Sequence, residues 1–298
     1  YDMAEMVPVE FWSFLNSSIK MHNPEAFLLA EVYNPDLYRP YIQQGKMDYL
    51  YDKVGFYDTL KAVMQGTQAA SSIFAAQQQV ADIEQHMLHF LENHDEQRIA
   101  SPDFAGSSEK GKPALVVSNL ISRSPTLLYF GQDVGEDGSE EAGFGKPTRT
   151  SIFDYIGVPA HQAWMNNGKF DGGALTAEQS QLREYYKAVM ALSKHPAVVA
   201  GDMHPLTVTG SDQVAAFSRS IGQQHIWVVS NFAEQENTVS IDIPLNTLAN
   251  HKQAEQQLLD LLEANQTAVL TITPEQVKIS LTLNALSSAV LTTGAHNE

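Results

Sequence analysis

The chain has 298 residues, which is room for one large domain and one smaller one. Its 43% hydrophobic and 18% charged residues supply a core and exclude a disordered chain. Eighteen Lys and Arg stand against 35 Asp and Glu, a net charge of -17, so no nucleic-acid or membrane-surface partner is expected, and the lack of cysteine excludes disulfides, thiolate metal sites and cysteine nucleophiles.

No apolar run approaches the roughly 18 residues of a membrane span. The chain opens Tyr1-Asp2-Met3-Ala4-Glu5, with neither a starting Met nor a basic and then apolar leader, and is expected to be cut from a longer precursor. Its compartment stays open.

Up to residue 131, helical patterns alternate with short apolar runs, the signature of βα units around a parallel sheet. A helix over 8–22 precedes a strand over 26–33 (AFLLAEVY), and a short helix near 37–43 precedes a strand over 47–51 (MDYLY). An Ala/Gln-rich helical segment that includes 69–79 precedes a strand over 87–93, and a helix over 108–123 precedes a strand over 126–130. The runs are almost continuously apolar, as strands covered on both faces should be. A long glycine-rich excursion then fills 132–175, and loops of that length are usually functional. Thr176 with Gln179 three residues on forms a capping box for a helix over 176–193. After His195-Pro196 the period changes to two, with strands expected over 214–218, 225–230, 238–243, 269–272, 277–283 and 289–292, an antiparallel sandwich. The expected fold is therefore α/β, a parallel βα unit over 1–200 followed by a β-sandwich over 201–298.

In a βα barrel the chemistry sits just past the C-terminal ends of the strands. Three carboxylates fall there: Glu31 inside AFLLAEVY, Asp95 closing HFLENHD, and Asp2 ahead of the first helix. Buried ionised groups cost stability, so three together point to function. Asp52, closing MDYLY, either lines the same groove or caps the next turn and pairs with Lys53. Arg98 either reaches substrate or Asp95, or is a plain surface arginine. Asp133 and Glu136 in GQDVGEDG read as a solvated turn rather than a distal subsite. His86, His89 and His94 lack helical ligand spacing, and no metal is expected on them. Tyr33, Phe56, Tyr57, Phe104, Phe144, Phe153, Tyr155 and Trp164 offer flat faces for sugar rings, with core packing as the plainer use of each.

Asp2-Met3-Ala4 with Val7-Pro8, then Leu29-Ala30-Glu31-Val32-Tyr33, then Phe90-Leu91-Glu92-Asn93-His94-Asp95 resemble, in order, three conserved motifs of the α-amylase family of glycoside hydrolases, family thirteen. Leu128-Tyr129-Phe130-Gly131-Gln132 looks like that family's last barrel strand and turn, and Arg149-Thr150-Ser151-Ile152-Phe153-Asp154-Tyr155 resembles a segment of some bacterial members. The resemblance implies the end of strand four through strand eight of a (β/α)8 barrel, then domain C. It further implies Asp2 as nucleophile, Glu31 as general acid/base, Asp95 as the carboxylate that holds sugar hydroxyls, and His94 as a contact to the same sugar, while Tyr33, Asp52 and Arg98 remain substrate-binding candidates from the residue reading above. The activity implied is retaining cleavage of α-1,4-glucans such as starch and maltooligosaccharides, little of it expected from the chain alone. A transglycosylase or maltosyltransferase, or a non-catalytic glucan-binding scaffold, are the alternatives. The family's Gly-Phe-Arg run before the nucleophile is not represented in these residues. No cofactor is expected in the chain, any calcium site belonging to the family's N-terminal barrel half. That half, or a second copy of the chain, is the expected protein partner, because a half-barrel exposes strand edges and an apolar face.

Overall fold

The computed structural model describes residues 1–140, 143–150, 157–245, 254–262 and 267–293. The N-terminal part runs α1 (Val9–His22), β1 (Leu29–Ala30), α2 (Tyr38–Gln43), β2 (Tyr49–Tyr51), α3 (Asp58–Met64), α4 (Ser72–Gln79), β3 (Met87–Phe90), α5 (Lys112–Leu120) and β4 (Thr126–Leu127). The four strands form one parallel sheet in the order β1-β2-β3-β4. Each ladder is shorter than its apolar run, because pairing ends where the neighbour turns away and the run continues as the loop carrying polar residues.

One further strand end is present. Tyr1 donates its amino group to the Leu29 carbonyl at 2.7 Å and its own carbonyl accepts the Glu31 N–H at 2.9 Å, the pattern of a parallel pair with Tyr1 opposite Ala30. Among the described residues no strand lies beyond β4 on the other edge. The inner surface of α1 buries Trp12 and Asn16, whereas Phe11, Phe14 and Met21 are exposed.

Beyond β4 come α6 (Pro159–Met165), α7 (Ala177–Leu192) and α8 (Pro196–Val199). The capping box at the start of α7 is formed in both directions: Thr176 Oγ1 accepts from the Gln179 N–H and Gln179 Oε1 from the Thr176 N–H. From Asp202 onward the described residues form the strands β5 (Asp202–Pro205), β6 (Thr207–Thr209), β7 (Val214–Ile221), β8 (Gln224–Asn231), β9 (Asn237–Ile243), β10 (Ala254–Asp260), β11 (Ala268–Ile272), β12 (Val277–Leu283) and β13 (Ser288–Thr292). They pair in the order β5-β7-β8-β13-β10-β11-β12-β9-β6, and all the pairs are antiparallel.

Three of these strands escape a sequence reading. β5 and β6 are short and largely exposed, and β10 reads AEQQLLD, a helix-favouring composition that pairing with β11 and β13 overrides.

The central strands are buried on both faces, and their period of two divides one strand between two cores. Val214 and Ala216, Trp227 and Val229, and Ala289 and Leu291 point into the sandwich, while Ala215 and Phe217, Ile226 and Val228, and Val290 pack on the core that holds α3, α5 and α7. Arg219 on β7 ties the two parts together. Its fully buried guanidinium donates to the carbonyls of Ala197, Val198, Gly201 and Ile121. These carbonyls lie at the C-terminal ends of α8 and α5, where helix dipoles favour a cation. No helix of the described residues is long and apolar enough to cross a membrane.

Candidate active site

The site is built on loops that leave neighbouring strand ends. Tyr1 is held by its pairing with Ala30, by its ring against Trp12 with centroids 4.5 Å apart, and by a hydroxyl bond to Asn16. Met3 then takes a left-handed conformation, φ 49 and ψ 37, which swings the chain into a single turn over Ala4–Met6. Ala4 is wholly buried and its carbonyl accepts from Trp12 Nε1. The Glu5 carboxylate accepts from the N–H groups of Tyr33 and Asn34 at 2.9 Å, fastening the Asp2 loop to the Glu31 loop.

Glu31 follows β1 directly and is 5% exposed. One of its oxygens accepts from the Met3 N–H at 3.3 Å. Burial, followed by its contact with Asp2, pushes the Glu31 carboxyl up to about 7, against the pull of the Met3 N–H and of His94. Asp2, in contrast, has a side chain 66% exposed.

The third group comes from the loop after β3. Asn93 Oδ1 accepts from the N–H groups of Asp95 and Glu96 at 2.9 and 2.7 Å, a side-chain turn that fixes the backbone of both acids. His94 projects into the middle of the carboxylates: its Nε2 is 3.9 Å from Asp2 and 3.8 Å from Asp95, and its Nδ1 is 3.9 Å from Glu31. These gaps exceed direct hydrogen bonds, leaving room for small adjustments around a ligand. A carboxylate oxygen of Asp2, one of Glu31 and a ring nitrogen of His94 all lie within 4.8 Å of one another. Tyr33, half-buried, is close enough to Glu31 and Asp95 for both to add to the effect of burial in raising its phenol.

Two candidates do not reach this group. Asp52 is 1% exposed and accepts from the Phe56 N–H at 3.0 Å, capping the wide helical turn Lys53–Tyr57. It lines no groove, and Lys53 pairs instead with Asp58 and Glu96. Arg98 is entirely buried rather than a surface or substrate-facing residue. It is ion-paired with Glu92 at 2.7 Å, bonded to Thr150 Oγ1 and the Phe130 carbonyl, and covered by the rings of Tyr129 and Phe130. Glu92, the residue sequence reasoning passed over, also accepts from the Ile99 N–H at 2.7 Å and so anchors both ends of the loop carrying His94 and Asp95. Its signal was an acid directly after an apolar run with an arginine six positions on.

The glycine-rich turn is likewise less solvated than expected. Glu136 is buried and caps α6 by accepting from the N–H groups of Ala160 and His161, and Asp133 pairs with Arg183. His86 and His89 do not gather with His94: His86 bonds the Asp48 carbonyl before β3, and His89 lies wholly buried within it. Phe56, Tyr57 and Phe104 are core residues, Phe144 is 91% exposed, and Trp164 stacks on His161. Ser151, Ile152, Phe153, Asp154 and Tyr155 lie outside the described residues.

No family model matches the chain. A cyclomaltodextrinase from a Bacillus species is 25% identical over 240 residues, 77% of this chain and 38% of that protein. The chain is thus similar in sequence to an enzyme of that name. Among solved structures, an Anoxybacillus α-amylase superposes with a TM-score of 0.69 at 19% identity, over 99% of this chain and 58% of that one. A maltogenic α-amylase from Thermotoga neapolitana gives 0.68 at 15% identity, over 97% and 59%. Both likenesses show the fold, a partial barrel followed by a β-sandwich domain. The chain spans under two thirds of the length of each of these relatives.

Two carboxyl groups in different surroundings, one exposed and one buried, are the arrangement that lets one act as a base or nucleophile and the other as an acid. His94 adds a donor between them.

Proposed function

We propose that this chain carries the catalytic carboxylates of a retaining glycosidase acting on α-1,4-glucans. The observation that carries the reading is Glu31, buried at a strand end with its carboxyl pushed up to about 7, beside an exposed Asp2 whose oxygen lies within 4.8 Å of its own. Retaining hydrolysis needs such a pair about 5 to 5.5 Å apart. In this mechanism Asp2 attacks the anomeric carbon while Glu31 gives its proton to the departing glycosidic oxygen. Glu31 then takes a proton from water, and the resulting attack releases the sugar from Asp2 with its configuration restored. Asp95 and His94 hold the hydroxyls of the same ring, and Tyr33 closes the wall beside Glu31.

Support from relatives is consistent with this substrate class: one structural neighbour, AmyP, is described in complex with maltose and, as a Glu-to-Gln variant, with maltotriose. We further propose that turnover requires more of the barrel than the part of the longer relatives that this chain spans. Among the described residues only Tyr1 pairs with the outer edge of β1, and Phe11, Phe14 and Met21 on α1 are exposed. Positioning within about half an ångström is hard to maintain on so open a frame. The test is release of reducing sugar from maltooligosaccharides by a completed barrel with and without Glu31→Gln. Loss of turnover with the fold intact supports the acid/base role, and retained turnover refutes it.

A further inference from the structure

We propose that Glu5 is a positioning residue for the reaction: it holds the turn bearing Asp2 against the loop bearing Glu31 and so sets how closely the two carboxyl groups approach. Its part in catalysis rests on the reading of Asp2 as nucleophile and Glu31 as acid/base, whereas the hold itself rests on geometry.

The two segments that carry the pair are joined on both sides of it. Ahead of Asp2, the Tyr1 carbonyl accepts the Glu31 N–H at 2.9 Å. Beyond it, one oxygen of the Glu5 carboxylate accepts the N–H groups of Tyr33 and Asn34, both at 2.9 Å. Residues 1–5 and 31–34 thus form a ring, closed by backbone at one end and by a single side chain at the other. Within the ring the Met3 N–H reaches Glu31 at 3.3 Å, a longer contact than either closure. Other bonds of the turn run to the helices instead, from the Ala4 carbonyl to Trp12 on α1 and from the Glu5 and Val7 carbonyls to Tyr41 on α2. Met3, at φ 49, keeps a left-handed conformation that a residue with a Cβ holds only where its surroundings enforce it.

Glu31 feels this turn directly. Burial and then Asp2 raise its carboxyl, while the Met3 N–H and His94 lower it, and Glu5 acts on it through position rather than charge. The phenols of Tyr33 and Tyr51 lie near Glu31 as well, and Asp95 stands on the far side of His94. A released turn takes Asp2 away and admits water, removing both raising effects against the loss of one lowering bond, so Glu31 should hold its proton less tightly.

The test is a carbon-13 NMR titration of the Glu31 carboxyl in the 298-residue chain and in Glu5→Ala, Glu5→Gln and Thr176→Ala, with the nuclear Overhauser contact between the Met3 amide and the Glu31 side chain recorded in each. Glu5→Ala is expected to weaken proton binding at Glu31 about tenfold from its midpoint of about 7 and to abolish the Met3 contact. Glu5→Gln removes the charge but keeps an acceptor oxygen for both N–H groups, and is expected to retain midpoint and contact. Thr176→Ala, a loss of stability on α7, should change neither. A Glu5→Ala chain with midpoint and contact unchanged, a Glu5→Gln chain shifted as far as Glu5→Ala, or an equal shift in Thr176→Ala would each overturn the proposal. Glu31 titrating as an ordinary carboxyl in the unsubstituted chain would refute the acid/base reading, while the Met3 contact still decides the hold, so the two fail separately.

Discussion

Replacing Asp52 with asparagine should stabilise the protein at neutral pH. Asp52 Oδ1 accepts from Phe56, but Oδ2 is buried with no hydrogen-bond partner among the described residues and lies 3.8 Å from His89 Nε2. That nitrogen cannot donate: His89 Nδ1 gives its proton to the Ser118 carbonyl at 2.9 Å, and Gln77 Nε2 lies 3.2 Å from Nε2. Burial holds the imidazole down to about 4, so it is neutral at pH 7. An ionised Asp52 thus faces no cation, and burial pushes its carboxyl up from 3.8 to about 6. That difference is worth about 3 kcal/mol. Because the folded state holds the proton more tightly, this stability is present in acid and is lost as pH rises from about 4 through 6. Asparagine keeps the acceptor for Phe56 and removes the charge, so its advantage over aspartate should grow by about 1 kcal/mol between pH 5 and pH 8. Urea denaturation of both forms at the two pH values measures it. An advantage that does not change with pH, or a variant less stable at pH 8, would refute the reasoning.

Glu31 is expected to set the alkaline limb of the pH–rate profile near 7, activity falling as its proton is lost, and a limb unmoved by Glu31→Gln in the residual activity would count against it. Arg219→Met leaves the buried carbonyls of Val198, Gly201 and Ile121 without this donor, that of Ala197 keeping the Gly201 N–H, and should cost about 3 kcal/mol or more in urea unfolding, with a loss under about 1 kcal/mol counting against a clasp. Arg98→Met strands the buried Glu92 carboxylate and should cost about 3 to 5 kcal/mol, measured the same way. Thr176→Ala opens the capping box of α7 and should cost about 1 kcal/mol, read from the shift in urea midpoint.

Elements whose local chemistry agrees with their packing were legible in the sequence. The Thr176 and Gln179 box, the apolar runs of β2 and β3 and the alternation of β9 and β12 all specify locally what they become. Where partners decide, the reading failed: β10 is a strand through its neighbours, and the run over 26–33 contributes two ladder residues because only Leu29 and Ala30 find β2 opposite. Asp2, Glu31 and Asp95 stood out as candidates because an acid at the end of a buried run is costly without a use, and the structure brings the three around His94. The same rule did not separate Asp52 and Arg98 from site residues. A strand-end acid that caps a turn and an arginine that locks a loop look identical in one dimension to groups that touch a ligand, and only burial and bonding partners tell them apart.

The central claim is that Asp2, Glu31 and Asp95 act as one constellation on α-glucans. The most direct measurement is reducing-sugar release from maltotriose and soluble starch by the chain alone and by the chain joined to the remaining barrel strands of the cyclomaltodextrinase relative, each with and without Glu31→Gln. The account predicts turnover only by the joined form, and its loss on the substitution. Turnover indifferent to Glu31→Gln, or none from the joined form, would contradict it.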